Sequence, residues 1–268
     1  MVDISREDKI SILYASVSFL FSALLLKASG FSVVAIVNFS NHIIKSIIFS
    51  ASTDTFVALR LLLSPFLFVL LGLVFFTLSI ALLAVRPPGQ SGKFSGIVAA
   101  LISIALFPSI AGAFLAAAVF LSFLLTPKFS LLASEAKKWK RFRLGSITAG
   151  RVFMIFNLLI AAGVFSSVLI NQADYESSFK AEMKESVRAI AMSLPGASAM
   201  PAEVLDQKIN STADTLTSSS FFSAYIVWLP VSAALTAWIV LEFLRNIMLA
   251  NLCGLFTYLM QRWKANGE

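Results

Sequence analysis

Apolar residues fall along this chain in long blocks rather than in short alternations. Residues 10–26, 57–85, 94–126, 152–170 and 221–244 are almost free of charge. Each block comes near or passes the roughly 20 residues with which a helix crosses a hydrocarbon core. Soluble helices keep one polar face and do not run apolar all round for that length. The pattern predicts an all-α, multi-pass transmembrane helical bundle of about five spans.

What lies between the blocks is patterned as well. In residues 31–50, Asn38, Asn41, His42 and Lys45 recur at i, i+3, i+4 and i+7, while Val33, Val37, Ile44 and Ile48 take another face. That is an amphipathic helix suited to the membrane interface. Arg86-Pro87-Pro88-Gly89 opens a turn, because neither proline continues a helix. The block 94–126 carries Pro108 and Gly112 near its middle and is longer than one perpendicular crossing needs. It fits either one tilted, kinked crossing or two half-helices of a re-entrant hairpin; a single crossing is the expectation.

Residues 171–220 are the one sizeable polar region. Tyr175, Phe179, Met183, Val187 and Ile190 form a helical stripe there, and Leu194-Pro195-Gly196 breaks it. A second helix starts near Pro201, with Leu205, Ile209 and Leu216 on its apolar side. The two make a small helical hairpin between the last two spans, too short to fold alone.

The charges sort themselves between the spans. Residues 127–151 hold Lys128, Lys137, Lys138, Lys140, Arg141, Arg143 and Arg151 against one acid, Glu135. Residues 171–220 hold Lys180, Lys184, Arg188 and Lys208 against seven acids. Basic loops stay on the cytoplasmic side, so 127–151 is a basic cytoplasmic connector and 171–220 an external cap. The C-terminus, with Arg262 and Lys264, is then cytoplasmic. A single crossing at 94–126 puts the N-terminus outside; a re-entrant hairpin puts it inside. The chain divides into a membrane region 1–126, the connector 127–151, a span 152–170, the cap 171–220, and a last span with C-terminal segment 221–268.

Composition agrees. The chain is 58% hydrophobic and 13% charged, against roughly 25% charge in average soluble domains. The net charge of +7 is explained by the connector, so no nucleic-acid partner is expected. Lys137, Lys138, Lys140, Arg141 and Arg143 are instead candidates for contact with anionic lipid headgroups.

Candidate chemistry is sparse. The single cysteine, Cys253, and single histidine, His42, exclude an internal disulfide, bis-histidine haem ligation and a Cys-based or His-rich zinc site within one chain. Nucleotide-binding and metalloprotease motifs are absent, and no span carries the aspartate pair of an intramembrane aspartyl protease. Neither an enzyme nor a cofactor is expected. Glu242 and Arg245, three apart near the inner end of the last span, can face one another on a helix; ionisable groups at such depth are functional candidates because burying them is costly. Gly96/Ala100, Gly112/Ala116 and Ala162/Ser166 have the small-xxx-small spacing that allows close helix approach. Asn38-Phe39-Ser40 and Asn210-Ser211-Thr212 fit the glycosylation pattern, and Asn210, in the external cap, is the better acceptor. The expectation is a non-enzymatic structural or accessory subunit, partnered by lipids and by other membrane proteins or further copies of itself. The alternative is an ion or small-solute channel or transporter.

Overall fold

The computed structural model describes residues 6–30, 32–38, 41, 55–86, 90–135, 138–193 and 201–266. Nine α-helices carry most of them: α1 Arg6–Ala28, α2 Thr55–Ala84, α3 Ser91–Leu106, α4 Ile110–Ala133, α5 Lys140–Ile170, α6 Gln172–Ser193, α7 Ala202–Thr217, α8 Ser220–Leu244 and α9 Ala250–Asn266. A π-helical segment, Arg245–Leu249, joins the last two without a break. No strand occurs among the described residues. Five helices are long and apolar enough to cross a membrane, with the shorter apolar α3 beside them, so the protein is built as a multi-pass membrane protein.

Block 94–126 corrects the single-crossing expectation. The chain leaves helical geometry at Phe107–Pro108, where the ring prevents the helix from continuing. Ser109 then caps α4, its hydroxyl accepting from the Gly112 amide at 3.0 Å. The two helices fold back on each other. A Cβ on Gly96 would stand 3.1 Å from the Phe120 carbonyl, and one on Gly92 would stand 2.6 Å from the Phe123 carbonyl, so α3 and α4 are antiparallel and in backbone contact. At Gly112 any side chain would meet the Phe107 carbonyl directly. The Lys27 ammonium, at the end of α1, donates to the Leu106 carbonyl at 2.5 Å and lies 5.8 Å from the Phe107 ring. It caps the negative end of α3.

These contacts fix which ends lie together. α1 runs parallel to α3, and α2 returns along α1, with Ser18 donating to the Phe75 carbonyl and Gly72 packed on Ser22 and Leu26. α5 rises beside α4, Gly163 against Phe114, and α8 descends along it, Gln172 bonding the Ile226 carbonyl. The start of α1, the end of α2, the start of α3, the end of α4, the start of α5 and the end of α9 therefore share one end of the bundle. The 94–126 region thus folds back on itself instead of forming one kinked helix, although α4 alone is long enough to cross a membrane. Two boundaries shift as well: most of 127–151 is helix, the end of α4 and the start of α5, and the last span runs on into α9.

The core is aromatic. Phe76 touches Phe19, Phe123, Phe153 and Phe156 at ring-centroid distances of 5.0–5.8 Å, joining α1, α2, α4 and α5. Lipid tails are as apolar as side chains, so helices associate in membranes through close packing rather than hydrophobic exclusion; edge-to-face rings supply such contact. Four buried hydroxyls are answered within their own helices: Thr77 donates to Leu73, Ser103 to Ala99, Ser122 to Ala118 and Thr148 to Leu144, at 2.6–2.9 Å; those of Ser11, Ser22, Ser91 and Ser95 are buried without a partner.

Lengths differ widely. At 1.5 Å per residue, the 16 residues of α3 span about 24 Å and the 31 of α5 about 46 Å. The continuous 47 residues from Ser220 to Asn266 span about 70 Å.

Candidate functional site: a polar notch at the π-helical segment

The descending helix must stay against α5 for most of its length, and the π segment re-aims it midway. The Ala250 amide donates to the Arg245 carbonyl five residues back, which widens one turn and rotates the helix beyond it; such bulges occur often at functional sites. Above it, Glu242 faces α5. Below it, α9 packs on the first turns of α5: Cys253 and Thr257 lie against Gly145, and Gly254 lies against Phe142. The Thr257 hydroxyl donates to the Arg141 carbonyl at 3.0 Å.

Glu242 and Arg245 do pair, as their spacing predicts. Their guanidinium and carboxylate are in direct contact, with side chains 16% and 22% exposed for Arg245 and Glu242. The pair belongs to a larger constellation. Asn157, fully buried on α5, donates to the other Glu242 oxygen at 3.2 Å. Arg245 also donates to the Gly150 carbonyl and to the Asn246 amide oxygen, both at 3.1 Å. Two buried atoms here lack a partner: the Asn157 amide oxygen and Arg245 Nε. Asn246 itself is exposed on the outside of the bundle. The notch is thus polar, charge-compensated, and open to the side. In the sequence Asn157 is only one amide in an apolar run; its link to Glu242, 85 residues away, is a product of helix register.

The remaining candidates scatter. Asn38 is exposed on a short helical stretch, residues 33–38, whereas Asn41 is buried and accepts a hydrogen bond from the Tyr225 hydroxyl at 2.8 Å. Asn41 thus departs from the predicted outward polar stripe: it ties this stretch to α8, beside Val37, Val168 and Leu229. His42, Lys45 and Lys137 lie outside the described residues. Lys138, Lys140, Arg141 and Arg143 are exposed around the start of α5, and Asn210 is exposed on α7.

The cap helices bury the stripes that mark them. Phe179, Met183 and Ile209 are almost wholly buried, and Phe179 stacks on Phe222 of α8 at 5.4 Å. Ile190, at the end of its stripe, stays exposed. Arg188 and Asp206 join α6 to α7 at 2.7 Å.

Two hollows of about 330 and 300 Å³ are shallow apolar grooves on the outside, one between α1 and α2 and one between α5 and α8. Among the described residues no group of three or more His, Cys, Asp or Glu side chains could hold a metal. No protein-family model, no curated protein and no solved structure matches this chain.

Proposed function

We propose that the protein is a non-enzymatic membrane subunit that works by lateral association with other membrane proteins, through the notch at Glu242, Arg245 and Asn246. One observation carries this reading: a partly exposed ion pair, continued outward by the exposed Asn246 amide, opens sideways where an apolar surface is otherwise expected. A polar group facing lipid is costly, and a neighbouring helix bearing an amide or hydroxyl would answer it at about 1–2 kcal/mol. In the same reading 127–151 and the C-terminus are cytoplasmic, by their basic charge, and the N-terminus joins them because the start of α1 lies at the same end of the bundle. Residues 171–220 are then an external hairpin, with Asn210 available to a glycosylating enzyme.

The test is site-specific photocrosslinking in native membranes. A photoreactive residue at Asn246 should yield a discrete protein adduct, and one at Leu101, exposed on the opposite α3 face, should not. Lipid adducts alone at both positions would count against a subunit role. The channel or transporter reading has one observation in its favour, the π segment beside an ion pair. Reconstituted protein that conducts ions, and loses conduction in Glu242→Gln, would replace the subunit reading with it.

A further inference from the structure

The antiparallel packing of α5 and α9 brings two copies of one short pattern to the same end of the bundle. Lys138-Trp139-Lys140 precedes α5, and Arg262-Trp263-Lys264 closes α9. Thr257 is bonded to the Arg141 carbonyl, and the second tripeptide begins little more than one turn further on, so the two lie at the same end of the bundle. The two tryptophans are the most exposed large hydrophobic side chains described, at 79% and 86%. All four flanking cations are exposed, and no ion pair involving them occurs among the described residues. The acids described at this end are Glu7, Asp8 and Glu135.

Trp139 is held outward by its backbone. It adopts φ 54°, ψ 37°, a left-handed conformation that a bulky residue takes only where its surroundings impose it. The turn is closed by the Arg143 amide, which donates to the Trp139 carbonyl at 2.9 Å.

We propose that these two tripeptides form one clamp for anionic phospholipid headgroups. Indole rings settle at the headgroup level, and each adjoining cation attracts the negative leaflet surface within about a Debye length. A flat aqueous partner would account for the cations but not for two unpacked tryptophans at the rim of a membrane helix bundle. The clamp extends the headgroup contact expected of Lys138 and Lys140 to α9. It rests on the membrane-embedded reading alone and is independent of lateral association at the notch.

The experiment uses the full chain with Trp228→Phe and Trp238→Phe, so that emission comes from Trp139 and Trp263. The protein is reconstituted in vesicles of equal parts phosphatidylcholine and phosphatidylglycerol, with brominated, quenching chains on one lipid or the other. Quenching should be stronger when the phosphatidylglycerol is brominated. Replacing Lys138, Lys140, Arg262 and Lys264 by Gln should abolish the preference, each cation contributing up to about fivefold in relative affinity. Equal quenching by the two lipids overturns the clamp, and so does a preference that survives all four substitutions. If the quadruple variant fails to fold, salt titration of the parent chain decides: the preference must fall as ionic strength rises, and indifference to salt overturns it.

Discussion

The seam between α5 and α9 makes a sharp prediction at Gly145. A Cβ added there would stand 2.4 Å from the Cys253 carbonyl oxygen, 2.4 Å from Thr257 Oγ1 and 2.7 Å from its methyl. The first of these is backbone, so no side-chain rotation relieves it, and α9 must retreat by nearly an ångström. Overpacking of this kind costs about 1–3 kcal/mol. The retreat also loosens the Thr257 bond to Arg141, worth about 0.5–1.5 kcal/mol. Gly145→Ala should therefore weaken the seam by about 2–4 kcal/mol.

Cys253 reports it directly, being the only cysteine and wholly buried in that seam. When labelling waits on a reversible opening, its rate tracks the opening equilibrium, so a maleimide should react about thirtyfold faster or more. Gly150→Ala is the control. Nothing lies within 4 Å of its added Cβ, and alanine is the better helix former by about 1 kcal/mol, so labelling should stay slow. If Gly145→Ala labels at the parental rate, the close approach of α5 and α9 is wrong.

Other parts of the bundle make predictions of the same kind. Glu242→Gln should destabilise the protein in a denaturant titration by about 1–3 kcal/mol, because Arg245 loses its counter-charge, and Glu242→Gln/Arg245→Gln should recover part of that loss. With Arg245→Gln as the other single variant, a double-variant loss equal to the sum of the two single losses would mean that the pair contributes nothing. Phe76→Ala, at the meeting point of four rings, should cost about 3–5 kcal/mol by thermal or denaturant unfolding; a loss below about 1 kcal/mol would remove the aromatic cluster from its central place. In a Cys253→Ala chain, single cysteines at Gln90 and Ser134 should label from the same side of the membrane, and one at Ser178 from the other. Labelling of Gln90 and Ser134 from opposite sides would restore single crossings.

How much of this molecule can be read in its sequence depends on the range of each interaction. The apolar blocks are legible because crossing a bilayer is a requirement on every residue of a segment, so it leaves a run that needs no partner to be seen. The cap stripes at Phe179, Met183 and Ile209 are legible for a similar reason, a helical period. The fold-back at Phe107–Ser109 is half legible: Pro108 marks a break, but whether the chain bends slightly or reverses depends on Gly92 and Gly96 meeting Phe120 and Phe123, contacts no local pattern encodes. The notch is legible only in its i, i+3 pair. Asn157 joins through the register between α5 and α8, and the π segment that sets this register carries no sequence mark. Asn41 escapes its pattern because a polar residue on an amphipathic face looks solvent-facing until a hydroxyl inside the bundle, that of Tyr225, is found opposite.

The unequal rods have a consequence for the bilayer itself. Hydrocarbon about 30 Å thick cannot match both a 24 Å helix and a 70 Å one. On the α3 side, Ile97, Leu101 and Ile104 face outward over a height several ångströms short of that thickness, so the lipids there must thin. On the α8–α9 side outward apolar residues recur past the notch at Ile247, Leu255 and Leu259, interrupted by the exposed Asn246 and Asn251, and the membrane must swell or the helix must lean. Each ångström of mismatch costs a fraction of a kcal/mol. The molecule therefore acts as a wedge in membrane thickness. Neighbours that lower this elastic cost, themselves short on one flank and long on the other, would collect around it in a preferred orientation before any side chain is recognised.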